Sequence, residues 1–243
     1  MKWKLAADRP YRREIYSRYI WSFLAVYLKR ILLLTPVTAN QITVALAVFG
    51  FLGGMLNSVG SDKFFVLGIT FYFVAKLLDN VDGEIARCKN QESSLGLYLD
   101  RLSHYAIDPA MHIGIGVGLF RMSDNIMPIY SAMVMTLMVI IDESSKDLIY
   151  RTSPVVEGHA EKPKSTLAME GNSFTSSNLV KDLLRLTISN AAFYHIFFLC
   201  TIIDYYSPPS FELKIACFYS FSAVSIVRTG HRVRRRIKHY FKQ

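Results

Sequence analysis

Residues 42–59 hold no charged side chain, and eighteen uncharged, mostly apolar residues are close to what one helix needs to cross a bilayer. Few constraints on a fold are stronger, because backbone polar groups in hydrocarbon must be satisfied within the segment itself. Gly50, Gly53 and Gly54 along this stretch allow a second helix to approach closely. Thr35, Thr38 and Asn40 just before it supply helix-capping side chains, so a helix starts there. The pattern recurs: 64–78, 110–120, 127–141, 186–203 and 211–227 are further apolar segments, separated by polar or turn-forming residues such as Gly60-Ser-Asp-Lys63. The expectation is an all-α, polytopic membrane protein with six transmembrane helices. Residues 15–34 mix Tyr, Trp and Leu with Arg18, Lys29 and Arg30, which suits a helix lying in the headgroup plane; a true span remains the alternative. The chain thus divides into a basic N-terminal segment, 1–36, and a membrane domain, 37–243.

Composition narrows the classes further. Hydrophobic residues make up 51% of the chain and the formal net charge is +9, so the basic groups must gather at the ends of apolar helices. A nucleic-acid binder needs a soluble basic surface, and no segment is left to form one. The cysteines, Cys88, Cys200 and Cys217, have no metal-site spacing. The first residues lack the compact apolar run and cleavage site of a signal peptide. The basic N-terminus, the Arg87–Lys89 turn, the 151–185 connection and the Arg-rich tail fall on one side of the expected bundle. The positive-inside rule makes that side cytoplasmic.

Chemistry concentrates where the second span ends and the third begins. Asp79 and Asp82 are three residues apart, and Asp100 and His104 four apart, so each pair shares a helix face. Gly83 and Arg87 form a parallel pair, placing open backbone beside a guanidinium that can grip phosphate with two hydrogen bonds. Three carboxylates and an imidazole at two helix ends suit a hard divalent cation with oxygen ligands. Two such ions can clamp a phosphoryl group under attack.

The stretch Asp79-x2-Asp82-Gly83-x2-Ala86-Arg87-x8-Gly96-x3-Asp100-x3-His104 resembles the signature of the CDP-alcohol phosphotransferase family, D-x2-D-G-x2-A-R-x8-G-x3-D-x3-D. Seven of the eight identities are in place, a coincidence of about one in a few million at average residue usage. The eighth, the family's last Asp, is His104. The resemblance implies a membrane enzyme that moves a phospho-alcohol group, for instance phosphatidyl, from a CDP-alcohol donor to a hydroxyl acceptor on a lipid or polyol, with release of CMP. It implies Mg²⁺ or Mn²⁺, two ions, held by Asp79, Asp82 and Asp100. Gly83, Ala86, Arg87 and Gly96 would contact donor or let the helices close around it. In the family the eighth residue is taken as the general base, a role an imidazole can fill at neutral pH. Asp108, one turn further on, would orient His104 as carboxylates orient catalytic histidines. Partners would then be donor, acceptor, membrane lipids and, left open, a second copy of the chain, but no nucleic acid.

Several readings stay open at this point. The exchange at His104 also fits a non-catalytic member of the same fold that binds nucleotide or a partner. A transporter would need paired, interrupted half-spans, and none is present. Lys76 either snorkels to the interface or pairs with the acids one turn later. Asp142, Glu143 and Asp147 either hold an acceptor or mark a helix's exit into water.

Overall fold

The computed structural model describes residues 22–152, 190–207 and 213–240. Among these residues every regular element is helical: α1 (Ser22–Leu33), α2 (Ala39–Asn57), α3 (Asp62–Cys88), α4 (Ser94–Ser123), α5 (Met127–Thr152), α6 (Asn190–Tyr206) and α7 (Leu213–Tyr240). Three stretches are long and apolar enough to cross a membrane: Ala39–Asn57, Asp62–Cys88 and Met127–Leu148. Ala192–Tyr206 is an apolar helix of shorter length. The described part of α1 has 12 residues, a rise of about 18 Å against a hydrocarbon thickness of about 30 Å. Residues 1–21 and the 153–189 connection lie outside the described residues.

The predicted helix start is present as a reciprocal cap. Thr38 accepts from the Gln41 amide while the Gln41 side chain accepts from the Thr38 amide, so two otherwise orphan donors are satisfied. The α2–α3 turn closes on Gly60, whose φ of +79° is costly for any residue with a Cβ. Close approach explains the glycine stripe. A Cβ on Gly54 would lie 2.6 Å from the Ala110 carbonyl oxygen, and one on Gly50 would lie 2.6 Å from Ile107 Cγ2. Gly114 and Gly118 return the contact, facing the backbone of Gly54 and Asn57. In lipid such small-residue seams let dispersion and backbone contact hold helices together.

Around this seam, α3 packs on α2, α4 on α2, α5 on α4, α7 on α5 and α6, and α6 on α3. The shared core is aromatic: Phe65 and Tyr72 of α3 meet Phe193, Tyr194 and Phe197 of α6 and Phe218 of α7. A second, smaller cluster joins α1 to the start of α2 and the end of α3 through Leu28, Leu32, Ile42, Val81 and Ile85.

Three polar ties fix the ends. Lys29 of α1 pairs with Glu84 of α3 at 2.7 Å. The Lys89 ammonium donates to the carbonyls of Leu32, Thr35 and Val37, spending all three of its protons on the end of α1 and the linker after it. Sequence reading counted Lys89 only as a cytoplasmic charge. At the opposite end, Lys214 pairs with Asp62 (3.0 Å) and Asp204 (3.4 Å), joining α3, α6 and α7. The Asp204 side chain is 1% exposed and also accepts from the Leu213 and Lys214 amides at 3.0 and 2.9 Å, so removing the cation leaves a hydrogen-bonded but buried carboxylate without its counter-charge. Lys214→Met should destabilise the protein by about 3–5 kcal/mol. Thermal unfolding in detergent would read this as a lower midpoint, with Lys214→Arg keeping most of the stability; an unchanged midpoint in Lys214→Met would show the clamp to be idle.

The basic residues that follow the last apolar segment continue the same helix. α7 runs unbroken to Tyr240, because Arg232 and Arg236 reach Asp142 of α5 at 3.1 and 2.8 Å. The ion pairs carry the helix on past its apolar half.

Candidate functional site

The two motif halves occupy the places their spacing predicts. Asp79 to Arg87 forms the last turns of α3, and Gly96 to His104 forms the first turns of α4. Ser93 caps α4 by accepting from the Gly96 amide at 3.0 Å. Gly96 has a neighbour that the sequence did not indicate. A Cβ would sit 2.9 Å from Asn40 Oδ1, so the close approach is to a side chain of α2 rather than to α3.

Asp79, Asp100 and His104 converge. Each offers a ligand atom, and these atoms lie within 4.8 Å of one another. His104 Nε2 is 3.5 Å from Asp79 Oδ1 and 3.6 Å from Asp100 Oδ1, so the imidazole lies between the two carboxylates. All three groups are half-buried. Two acids and an imidazole facing one small volume form a donor set that accepts a divalent cation, with oxygen ligands preferred by Mg²⁺ and imidazole tolerated by Mn²⁺.

Asp82 stands apart from that trio. It is 6% exposed, and both of its oxygens are engaged: Oδ2 accepts from the Thr43 hydroxyl of α2 at 2.9 Å, and Oδ1 from the Gly83 amide at 2.6 Å. An ionised carboxylate has about four lone-pair sites, so two bonds fix its orientation without exhausting it. Thr43 was not singled out from sequence. It is a neutral residue in an apolar span, 39 positions before its partner, and only an unexplained hydroxyl on the face of α2 toward α3 signalled it.

Arg87 is exposed and folds back along its own helix. A Cβ at Gly83 would lie 3.7 Å from its Nη1, so the bare Gly83 backbone and the guanidinium border the same space. Ala86 packs into the small cluster beneath α1.

Asp108 has a different partner from the one expected. Its Oδ1 accepts from the Tyr72 hydroxyl of α3 at 3.0 Å, and the described residues show no His104–Asp108 hydrogen bond. Lys76 is half-buried, with its ammonium 5.6 Å from the centroid of the Tyr72 ring. Below this layer His112 stacks on Tyr194, fully buried, at a ring separation of 5.7 Å. Neither residue carries a signal in the sequence, since a lone His and Tyr on apolar helices usually fill core.

The acids of α5 are engaged by neighbours. Asp147 accepts from Tyr105 at 2.9 Å, Glu143 pairs with Lys146, and Asp142 meets Arg232 and Arg236. Asp147 ties α5 to α4 and Asp142 ties it to α7, while the Glu143–Lys146 pair lies within α5.

Comparison with known proteins agrees with this layout. The family model described as CDP-alcohol phosphatidyltransferase matches residues 36–160, which contain α2 to α5 and both motif halves. No curated protein sequence matches the chain. Among solved structures, phosphatidylinositol phosphate synthase (PgsA1) of Mycobacterium tuberculosis with CDP-DAG bound superposes with a TM-score of 0.62. It is 13% identical, with 89% of this chain and 94% of that one covered. The same enzyme in complex with manganese and citrate gives a TM-score of 0.56 at 16% identity, covering 86% and 88%. At these identities the likeness shows the fold.

Proposed function

Because the chain belongs to the CDP-alcohol phosphatidyltransferase family, we propose that it transfers a phosphatidyl-type group from a CDP-alcohol to an acceptor hydroxyl in phospholipid synthesis. The observation that carries this reading is the convergence of Asp79, Asp100 and His104 from the end of α3 and the start of α4. The neighbour with CDP-DAG bound supports a donor of the CDP-diacylglycerol type, and the neighbour with manganese supports a divalent cation.

Asp79 and Asp100, with Asp82 held in place by Thr43 and Gly83, would hold the ions. When bound, they would neutralise charge on the acceptor's attacking oxygen and on the oxygen that leaves with CMP. Arg87 grips the donor's phosphate with its guanidinium fork, and Gly83 lets the nucleotide lie against bare backbone. The acceptor oxygen bonds to the phosphorus that carries the donor's alcohol, and the bond from that phosphorus to CMP breaks. The acceptor's proton passes to His104. Asp108, itself held by Tyr72, anchors the helix face that presents His104. The acceptor is a lipid or polyol hydroxyl.

The same reading has six membrane helices in residues 37–243, an interfacial segment in residues 1–36, and the site at the cytoplasmic surface, as the charge distribution supports. Membranes containing the protein should release CMP from CDP-diacylglycerol with Mg²⁺ or Mn²⁺ and stop when the cation is chelated. No release with any acceptor added would remove the reading. One feature favours a second reading, a member that binds nucleotide without turnover: His104 stands where the family has an Asp. Saturable CDP-donor binding without CMP release would identify it.

A further inference from the structure

The face of the bundle formed by α5 and α7 takes no part in the candidate site, yet it holds a shaped groove. Met138 and Ile141 of α5 face Ile226, Val233 and Ile237 of α7 across an apolar cleft of about 490 Å³. Gly230 lies in the middle of it, deep inside a 28-residue helix, where glycine is a poor choice for backbone entropy. Gly50, Gly53, Gly54, Gly114, Gly116 and Gly118 all admit a neighbouring atom that a Cβ would collide with. At Gly230 a Cβ would meet nothing within 4 Å, so no described neighbour accounts for its small size. What the missing side chain does is keep the groove open.

The groove also has charge at one end. Arg234 and Lys238 line it one and two turns beyond Gly230, both exposed, and neither has a carboxylate partner among the described residues. Their neighbours on the other face of α7, Arg232 and Arg236, are instead held by Asp142. An apolar trough ending in two uncommitted cations matches one amphiphile: an acyl chain along the helices and an anionic headgroup at the end. A zwitterionic headgroup would bring its own cation toward Arg234 and Lys238 and lose much of that attraction.

We propose that the α5–α7 groove binds one anionic phospholipid, its acyl chain along Met138, Ile141, Ile226 and Val233 and its phosphate between Arg234 and Lys238. The lipid is a bound component of the bundle, separate from the donor at the α3–α4 site.

Native mass spectrometry of the full-length protein, in micelles carrying equal amounts of phosphatidylglycerol and phosphatidylcholine, tests this without any turnover. One phosphatidylglycerol should be retained per protomer, preferred over phosphatidylcholine on the order of tenfold. Arg234→Gln with Lys238→Gln should erase the preference. Gly230→Leu puts a better helix former into open space, so the variant folds, and it should lose lipid retention while CMP release stays at the wild-type rate. Equal retention of the two lipids would overturn the proposal, as would a preference that survives the double charge change or retention unaffected by Gly230→Leu. A dimer that Gly230→Leu converts to monomer, with no lipid retained in either, would assign the groove to a second copy instead. The retention results do not depend on whether the α3–α4 site transfers a phosphatidyl-type group; if it does, CMP release gives a second control on the fold of Gly230→Leu.

Discussion

Asp79→Asn and Asp100→Asn should each lower transfer by on the order of a thousandfold while leaving the protein folded. Changes to residues that merely support metal ligands already cost about 10–100-fold, and on the proposed assignment the ligand itself would be lost. The geometry supplies the folding control. The two carboxylates and His104 lie within 4.8 Å of one another, and like charges so close repel. Without a cation, neutralising either acid relieves that repulsion, so thermal stability of the metal-free variants should equal or exceed wild type. With Mn²⁺ added the order should reverse: wild type gains stability by mass action and the variants do not. Asp82→Asn tests the third carboxylate separately. As a ligand it should fall with the other two; if Asp82 only braces the turn through Thr43 and Gly83, the amide oxygen of Asn can still accept a bond and most activity survives. An Asp79→Asn or Asp100→Asn protein that turns over normally and still gains stability from Mn²⁺ would take that residue out of the ligand set.

The parts of this molecule that could be read from sequence are those written in local spacing. Thr38 before an apolar run announces the start of α2, and Gly50, Gly53 and Gly54 announce a tight helix seam. Asp79 with Asp82, and Asp100 with His104, are three and four residues apart, so each pair had to share a helix face whatever the tertiary fold. Contacts between elements far apart in sequence carry no such signature. The Thr43–Asp82 bond joins residues 39 apart and the Tyr72–Asp108 bond residues 36 apart, and each involves a hydroxyl that composition cannot distinguish from core filling. The partners of the charged residues are hidden for a related reason. A Lys or Arg at a helix end reads as a topology signal, and nothing local says that Lys89 also caps α1 or that Arg232 and Arg236 clamp Asp142. Desolvated ends of helices need partners, and the nearest counter-charge takes the group whichever side of the membrane it marks.

His104→Ala should nearly abolish transfer while CDP-donor binding persists, because the residue lies between the acids and the proposed mechanism assigns the donor's phosphate to Gly83 and Arg87 instead. Its Nε2, 3.5 and 3.6 Å from Asp79 and Asp100, is close enough to the reacting region to take the acceptor's proton. His104→Asp separates that role from mere occupancy. A carboxylate at this position restores the family's residue and can accept a proton, so the variant should retain part of the activity where alanine retains almost none. Asp108→Asn should cost much less than His104→Ala, since the bond Asp108 makes is to Tyr72 on the neighbouring helix. CMP release measured across these variants with donor affinity determined in parallel distinguishes the outcomes. Normal turnover in His104→Ala would reduce the imidazole to packing. Donor binding without turnover in wild type, with turnover gained in His104→Asp, would make the chain a member that lost its base, because Asp79, Asp82, Asp100 and Arg87 are all still in place and only the proton acceptor differs.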